Sequence, residues 1–273
     1  MKEQAVKAQL FRDLHYAASP LVLANAWDAV TARIFEAVGF PAIATTSAGM
    51  AMALGYPDGG YLPFEALVAA LQRVVTSVQV PVSADIESGY GVTPEETADY
   101  VDKLIETGIV GINIEDSVGH GDGALFPEEL QAQRIAAIHE TCHIPLFINA
   151  RIDNFKHGGK TDKELLEDAI RRAQLYRQAG ADCIFVFGVR DLDVIQASVR
   201  RIPGPVNFMA GSGMPSVNQL KEAGASRISM GPAALKVAMG SVKKVATDLF
   251  SNGTYDSSPQ SEMSYQELNG YFL

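Results

Sequence analysis

The segment Val82-Ser83-Ala84-Asp85-Ile86-Glu87-Ser88-Gly89-Tyr90-Gly91 runs from apolar residues into two acids two positions apart, and then into glycine. Directly after it, Thr93-Pro94-Glu95-Glu96 offer a helix N-cap, a proline at the first helical position and a capping-box glutamate. Together they read as one β/α unit, a short buried strand turning into a helix, with the acids at the strand's C-terminal end. Gly108 is placed to stop that helix. The same ending recurs at Ala179-Gly180 and Ala223-Gly224, each just before another apolar run.

Outward from this unit the pattern repeats. Short β-rich runs fall at 21–27, 42–47, 81–87, 111–116, 145–153, 183–189, 205–211 and 226–231, each followed by a charged segment with helical spacing. Strands alternating with helices imply a parallel sheet, and eight such units in 273 residues predict an α/β protein with a closed (β/α)₈ barrel of the TIM type. Residues 1–250 are expected to form this catalytic domain. Residues 251–273 begin turn-rich and polar and end in a short apolar stretch, which predicts a tail in contact with a neighbouring subunit.

The composition narrows the function. With 47% hydrophobic residues and a formal charge of −10 spread without a basic block, nucleic acid and anionic membrane are poor partners. No window approaches the roughly 18 unbroken apolar residues of a membrane span. The charged N-terminal segment lacks the apolar stretch of a signal peptide, and two cysteines give no disulfide framework, so the expected location is cytoplasmic.

Catalytic groups of such barrels gather at the C-terminal ends of the strands, and strand residues two apart point the same way. By that rule Asp85 and Glu87 share one side of strand three, Asn113 and Glu115 do so on strand four, Asn149, Arg151 and Asp153 on strand five, and Asn207 lies on strand seven. Any one of these acids could simply cap a helix or form a rim ion pair. Taken together, Asp85, Glu87 and Glu115 need a cation that Arg151 alone cannot supply, and oxygen ligands without nearby histidine or thiolate favour Mg²⁺ or Mn²⁺ over zinc.

Trp27-Asp28, Thr45-Thr46-Ser47-Ala48-Gly49, Gly55-Tyr56-Pro57-Asp58-Gly59, the ADIESGYG segment at 84–91, GINIED at 111–116 and NARID at 149–153 together resemble the isocitrate lyase/phosphoenolpyruvate mutase superfamily. The likeness runs in order from about residue 20 to about 240. It implies a metal-dependent lyase that binds a small 2-oxo or 2-hydroxy carboxylate and passes through an enolate, in a homo-oligomer, tetramer or dimer, whose C-terminal helix is exchanged between subunits. It further implies that Asp85 and Glu87 are metal positions, with Glu115 completing the shell through water. Thr46, Ser47 and Ala48 would hold the substrate carboxylate, Arg151 would grip it, and Asp58 would lie near the reacting centre.

The departures bear on the reaction. Superfamily lyases carry a cysteine in a lid after strand four, where this chain has Ser117-Val118-Gly119-His120-Gly121-Asp122-Gly123. Cys142 lies before strand five and Cys183 begins strand six, so both fall at the opposite end of the barrel. His120 is the titratable lid side chain available to donate a proton instead. The preferred expectation is therefore a carbon–carbon lyase, oxaloacetate decarboxylase-like, since carbon dioxide leaves without that acid. Three alternatives stand beside it: phosphonopyruvate or phosphoenolpyruvate P–C chemistry, a non-catalytic 2-oxo acid binder, and an unrelated phosphate-binding barrel suggested by residues 211–231.

Overall fold

Eight parallel strands close on themselves in chain order, β1 pairing with both β2 and β8. They are β1 (Leu21–Ala26), β2 (Ile43–Thr45), β3 (Val82–Asp85), β4 (Gly111–Glu115), β5 (Phe147–Ile152), β6 (Cys183–Val186), β7 (Val206–Met209) and β8 (Arg227–Ser229). The structure is a computed structural model, and it describes residues 2–119, 124–156, 160–254 and 263–273. Helices α1 (Lys2–Leu14), α2 (Ala29–Val38), α3 (Ser47–Ala53), α4 (Phe64–Ser77), α5 (Pro94–Ile105) and α6 (Glu128–Thr141) accompany the first half. The second half carries α7 (Asp162–Gln178), α8 (Leu192–Arg201), α9 (Val217–Glu222), α10 (Ala233–Asn252) and α11 (Tyr265–Gly270). None of the described helices is long and apolar enough to cross a membrane.

Strand alternation explains the layering. Outward residues such as Ile43, Ala84, Ile112, Ile114, Ile148, Ile184 and Phe208 pack with the helices in one large core. α5 begins as its sequence predicts: Thr93 accepts from the Glu96 amide, Glu96 answers the Thr93 amide, and Gly108 takes φ 95° beyond its end.

The N-terminal segment does more than its sequence reading assigned. α1 closes the N-terminal end of the barrel, where Ala8 and Phe11 join Leu21, Leu23, Val110, Phe147 and Cys183 in a second buried cluster. His15, just past the end of α1, is 2% exposed. Its ring stacks on Phe147 at 3.9 Å between centroids, and its Nδ1 pairs with the Phe11 carbonyl at 2.7 Å.

Burial, with Arg227 beside it, pushes the His15 imidazole down to about 3. Folded His15 is therefore neutral near pH 5, whereas the unfolded chain takes up a proton there, so stability is complete above about pH 6.5 and declines below it by about 1.4 kcal/mol per pH unit. Urea unfolding at pH 7.5 and pH 5.0 is expected to show the parent losing about 2 kcal/mol more than His15→Phe. Equal losses in the two proteins would refute the assignment.

Candidate active site

At the C-terminal ends of the strands a cavity of about 160 Å³ opens, lined by Thr46, Ser47, Ala48, Asp58, Asp85, Asn113, Arg151 and Asn207. These eight come from five different strands or the loops that follow them. The period-two phase of the strands brings Asp85, Asn113, Arg151 and Asn207 to one mouth, and the helix and turn after β2 add the other four.

Asp85 ends β3 and is held on both sides. Its Oδ2 accepts from the Ser47 amide at 3.1 Å and the Ser47 hydroxyl at 2.7 Å, at the first turn of α3, which Thr46 caps. Its Oδ1 accepts from Asn113 Nδ2 at 2.9 Å, and Asn113 Oδ1 in turn accepts from Asn149 at 2.9 Å. The carboxylate is thus fixed by three donors before any ligand arrives.

Arg151 is likewise engaged. It meets Asp153 with two parallel bonds, at 2.5 and 2.9 Å, and Glu115 at 2.9 Å, while its guanidinium stacks on Phe187 at 3.8 Å. Lys156 also pairs with Asp153, at 2.5 Å. Glu115 accepts from the Ser117 hydroxyl as well, yet its pKa is raised, because burial outweighs Arg151. Arg151, which the resemblance implies would grip the substrate carboxylate, is already paired with two protein acids.

Asp85 and Glu87 do not share one side. The strand ends at Asp85, and Glu87 follows with φ 51° in the left-handed region, so alternation no longer sets its direction. Its buried side chain lines a neighbouring cavity with Ile86, Tyr90, Val92, Val118 and Phe126. Burial pushes the Glu87 carboxyl up to about 8, helped by Asp85, Glu115 and Asp58. Asp58, on the turn over the mouth, is also raised, first by loss of solvent and then by Asp85.

The glycine-rich turn after β3 is fastened from behind. Arg134 of α6, fully buried, donates to the Ser88 and Gly91 carbonyls, Thr97 Oγ1 and Gln131 Oε1, and Gln131 Nε2 reaches the Glu115 carbonyl at 3.3 Å. At Gly91 a Cβ would come within 2.5 Å of the Thr97 amide nitrogen, so no larger residue fits against the start of α5.

Other lining residues escaped the sequence reading. Asn25 Oδ1 accepts from the Met230 and Gly231 amides at 2.9 Å, joining β1 to the end of β8, and Ser83, Lys156, Phe185, Arg227 and Ser229 complete the wall. Apart from Lys156, which lies on the turn after β5, they occupy the same inward phase, which is the signal that would have found them. Burial pushes the Cys142 and Cys183 thiols up to about 12, and neither lines the cavity. His120 lies outside the described residues.

A model of the family described as phosphoenolpyruvate phosphomutase matches residues 11–250. An uncharacterised protein of Mycobacterium tuberculosis is 39% identical over 224 residues, 81% of each chain. The 2,3-dimethylmalate lyase of Eubacterium barkeri is 28% identical over 96% of this chain and 92% of its own. A crystal structure of a candidate lyase/mutase from Burkholderia cenocepacia covers 100% of this chain and 97% of that one, with a TM-score of 0.91 and 34% identity. A match of this extent leaves no room for an unrelated phosphate-binding barrel. The chain belongs to the phosphoenolpyruvate phosphomutase family, and it is an enzyme of the superfamily that family shares with the 2-methylisocitrate and 2,3-dimethylmalate lyases.

Proposed function

We propose that the protein is a Mg²⁺- or Mn²⁺-dependent carbon–carbon lyase that cleaves a small 2-oxo or 2-hydroxy carboxylate through an enolate, in the manner of an oxaloacetate decarboxylase. The observation that carries the choice over P–C chemistry is the state of the cations at the mouth: Arg151 and Lys156 are already neutralised by Glu115 and Asp153. A phosphoryl dianion at the mouth would need free cations beside it, as phosphoryl-transfer sites supply them, and the cavity's unpaired cation, Arg227, lies at the start of β8, away from the mouth.

The donor set fits the metal. Asp85, Glu87, Glu115 and Asp58 raise one another's pKa or that of Glu87, which marks a surplus of negative charge that a divalent cation would relieve. Among the described residues no three acids, histidines or cysteines form a ready-made ligand cluster. Mg²⁺ tolerates this, because it commonly keeps several waters and binds through one or two carboxylates and the substrate's own oxygens. Asp85, with Glu87 and Glu115 behind water, would hold it, and it would supply Lewis-acid polarisation of the 2-oxo group.

The chain's own groups do the rest. Asp85 is pre-oriented by Ser47 and Asn113, the apolar faces of Phe185 and Phe187 limit solvent, and Ala48 in the first turn of α3 lines the cavity beside them. The exposed residues Val237, Met239, Val242, Leu249 and Phe250 of α10 support a homo-oligomer that covers this helix. The test is a panel of 2-oxo and 2-hydroxy diacids assayed with Mg²⁺ for pyruvate or glyoxylate. Turnover is expected on a C4 or C5 member, abolished by chelation and restored by Mg²⁺ or Mn²⁺; turnover of phosphonopyruvate alone would overturn the reading.

A further inference from the structure

Three cations line the central cavity: Arg151, Lys156 and Arg227. The first two are paired with acids. Arg227 is different. It projects from the start of β8 into the barrel interior, is 2% exposed, and its Nε and Nη1 have no hydrogen-bond partner. Among the described residues no carboxylate lies within ion-pair distance of it. Asp85 acts on it only from further off, and the ring of Phe11 lies below at 5.9 Å.

Polar side chains of other strands line the gap it faces. Ser83 Oγ, across the barrel on β3, is also buried without a partner, while Asn207 and Ser229 hold each other at a long 3.3 Å. Water in the gap would satisfy the N–H groups. It would leave a whole positive charge in the barrel interior without a counter-charge, and desolvated ions of that kind are costly unless paired. Guanidinium N–H groups suit a carboxylate, and a single guanidinium balances one negative charge.

We propose that Arg227, with Ser83, Asn207 and Ser229, forms an anion subsite on the floor of the cavity for a small monovalent anion. The occupant is the distal carboxylate of a dicarboxylic substrate or, when that is absent, an inorganic ion such as chloride. The first source rests on the carboxylate reading above, and the second does not. A cavity of about 160 Å³ equals about five water volumes, which suits a C4 or C5 acid spanning mouth and floor.

The full chain in chloride-free buffer is titrated calorimetrically with succinate, glutarate and butyrate, with and without Mg²⁺, and its crystals are soaked in sodium bromide for anomalous scattering. Expected is a diacid bound about ten- to a hundredfold tighter than butyrate, whether or not metal is present, with bromide at Arg227. Arg227→Met is expected to erase the diacid preference and Arg227→Lys to retain part of it. Bromide at Arg227 that a diacid displaces assigns the subsite to the substrate, whereas bromide that a diacid leaves in place assigns it to an inorganic ion. No bromide at Arg227 together with equal or absent binding of diacid and monoacid, in the folded parent chain, overturns the proposal. Failure of metal-dependent turnover in the substrate panel would move none of these readings.

Discussion

Asp85→Ala is expected to lower kcat/KM by about 10²–10³-fold or more, the range seen when a single preorganised electrostatic group is removed from an active site. The way this carboxylate is held sets the size of the loss. Three donors, the Ser47 amide and hydroxyl and Asn113 Nδ2, aim it into the cavity, and no other acid there is fixed in the same way. The loss should fall on function more than on folding. Asp85 raises the pKa of Glu87 and of Asp58, so removing its charge relieves repulsion even as it leaves the Ser47 and Asn113 donors unpaired. Asp85→Asn separates the two effects, since it keeps an acceptor for Ser47 but not the charge. Both variants should unfold near the parent temperature while losing Mg²⁺ in a calorimetric titration. Parent-like activity in folded Asp85→Ala would sink the metal-site reading.

How far the sequence could be read followed the reach of one periodicity. Where a strand is regular, alternation named the inward residues: Asp85, Asn113, Asn149, Arg151 and Asn207 all face the barrel interior, and eight apolar runs located eight strands. Glu87 failed because the rule was extended one residue pair past the strand, into a turn whose backbone takes positive φ at both Glu87 and Tyr90. Such φ values cost non-glycine residues about 1–3 kcal/mol each and persist only where the surroundings impose them. Here the contacts of Arg134 with that turn are long-range and left no local mark. Arg227 obeys the alternation but opens its strand, away from the C-terminal end where catalytic groups are expected. α1 was illegible for another reason: the partner of its apolar face is the barrel end, which exists only after all eight strands have closed.

The second large effect concerns Arg151, and here the structure changes the expectation drawn from sequence. A carboxylate clamp replaced by lysine would weaken substrate binding and little else. In the structure Arg151 is 9% exposed, lies between Glu115 and Asp153 and stacks on Phe187, so its removal strands Glu115 and leaves buried Asp153 with Lys156 alone. Breaking a buried pair by deleting one partner costs about 3–5 kcal/mol. For a chain of this size Arg151→Met should therefore unfold roughly 6–20 °C below the parent. Arg151→Lys should fall between, since one ammonium can meet an acid but cannot reproduce the two parallel bonds to Asp153. The pH dependence gives an independent check. Glu115 is already raised by burial, and Arg151 is the largest influence lowering it, so in Arg151→Met its folded pKa must climb further above the unfolded value. A group raised in the folded state contributes stability at low pH and loses it as pH rises through the folded pKa. The deficit of Arg151→Met relative to the parent should accordingly be smaller at pH 5.5 than at pH 8, as read from paired thermal unfolding curves. A variant as stable as the parent at both pH values would show that the Glu115–Arg151–Asp153 cluster does not hold the mouth of the barrel together.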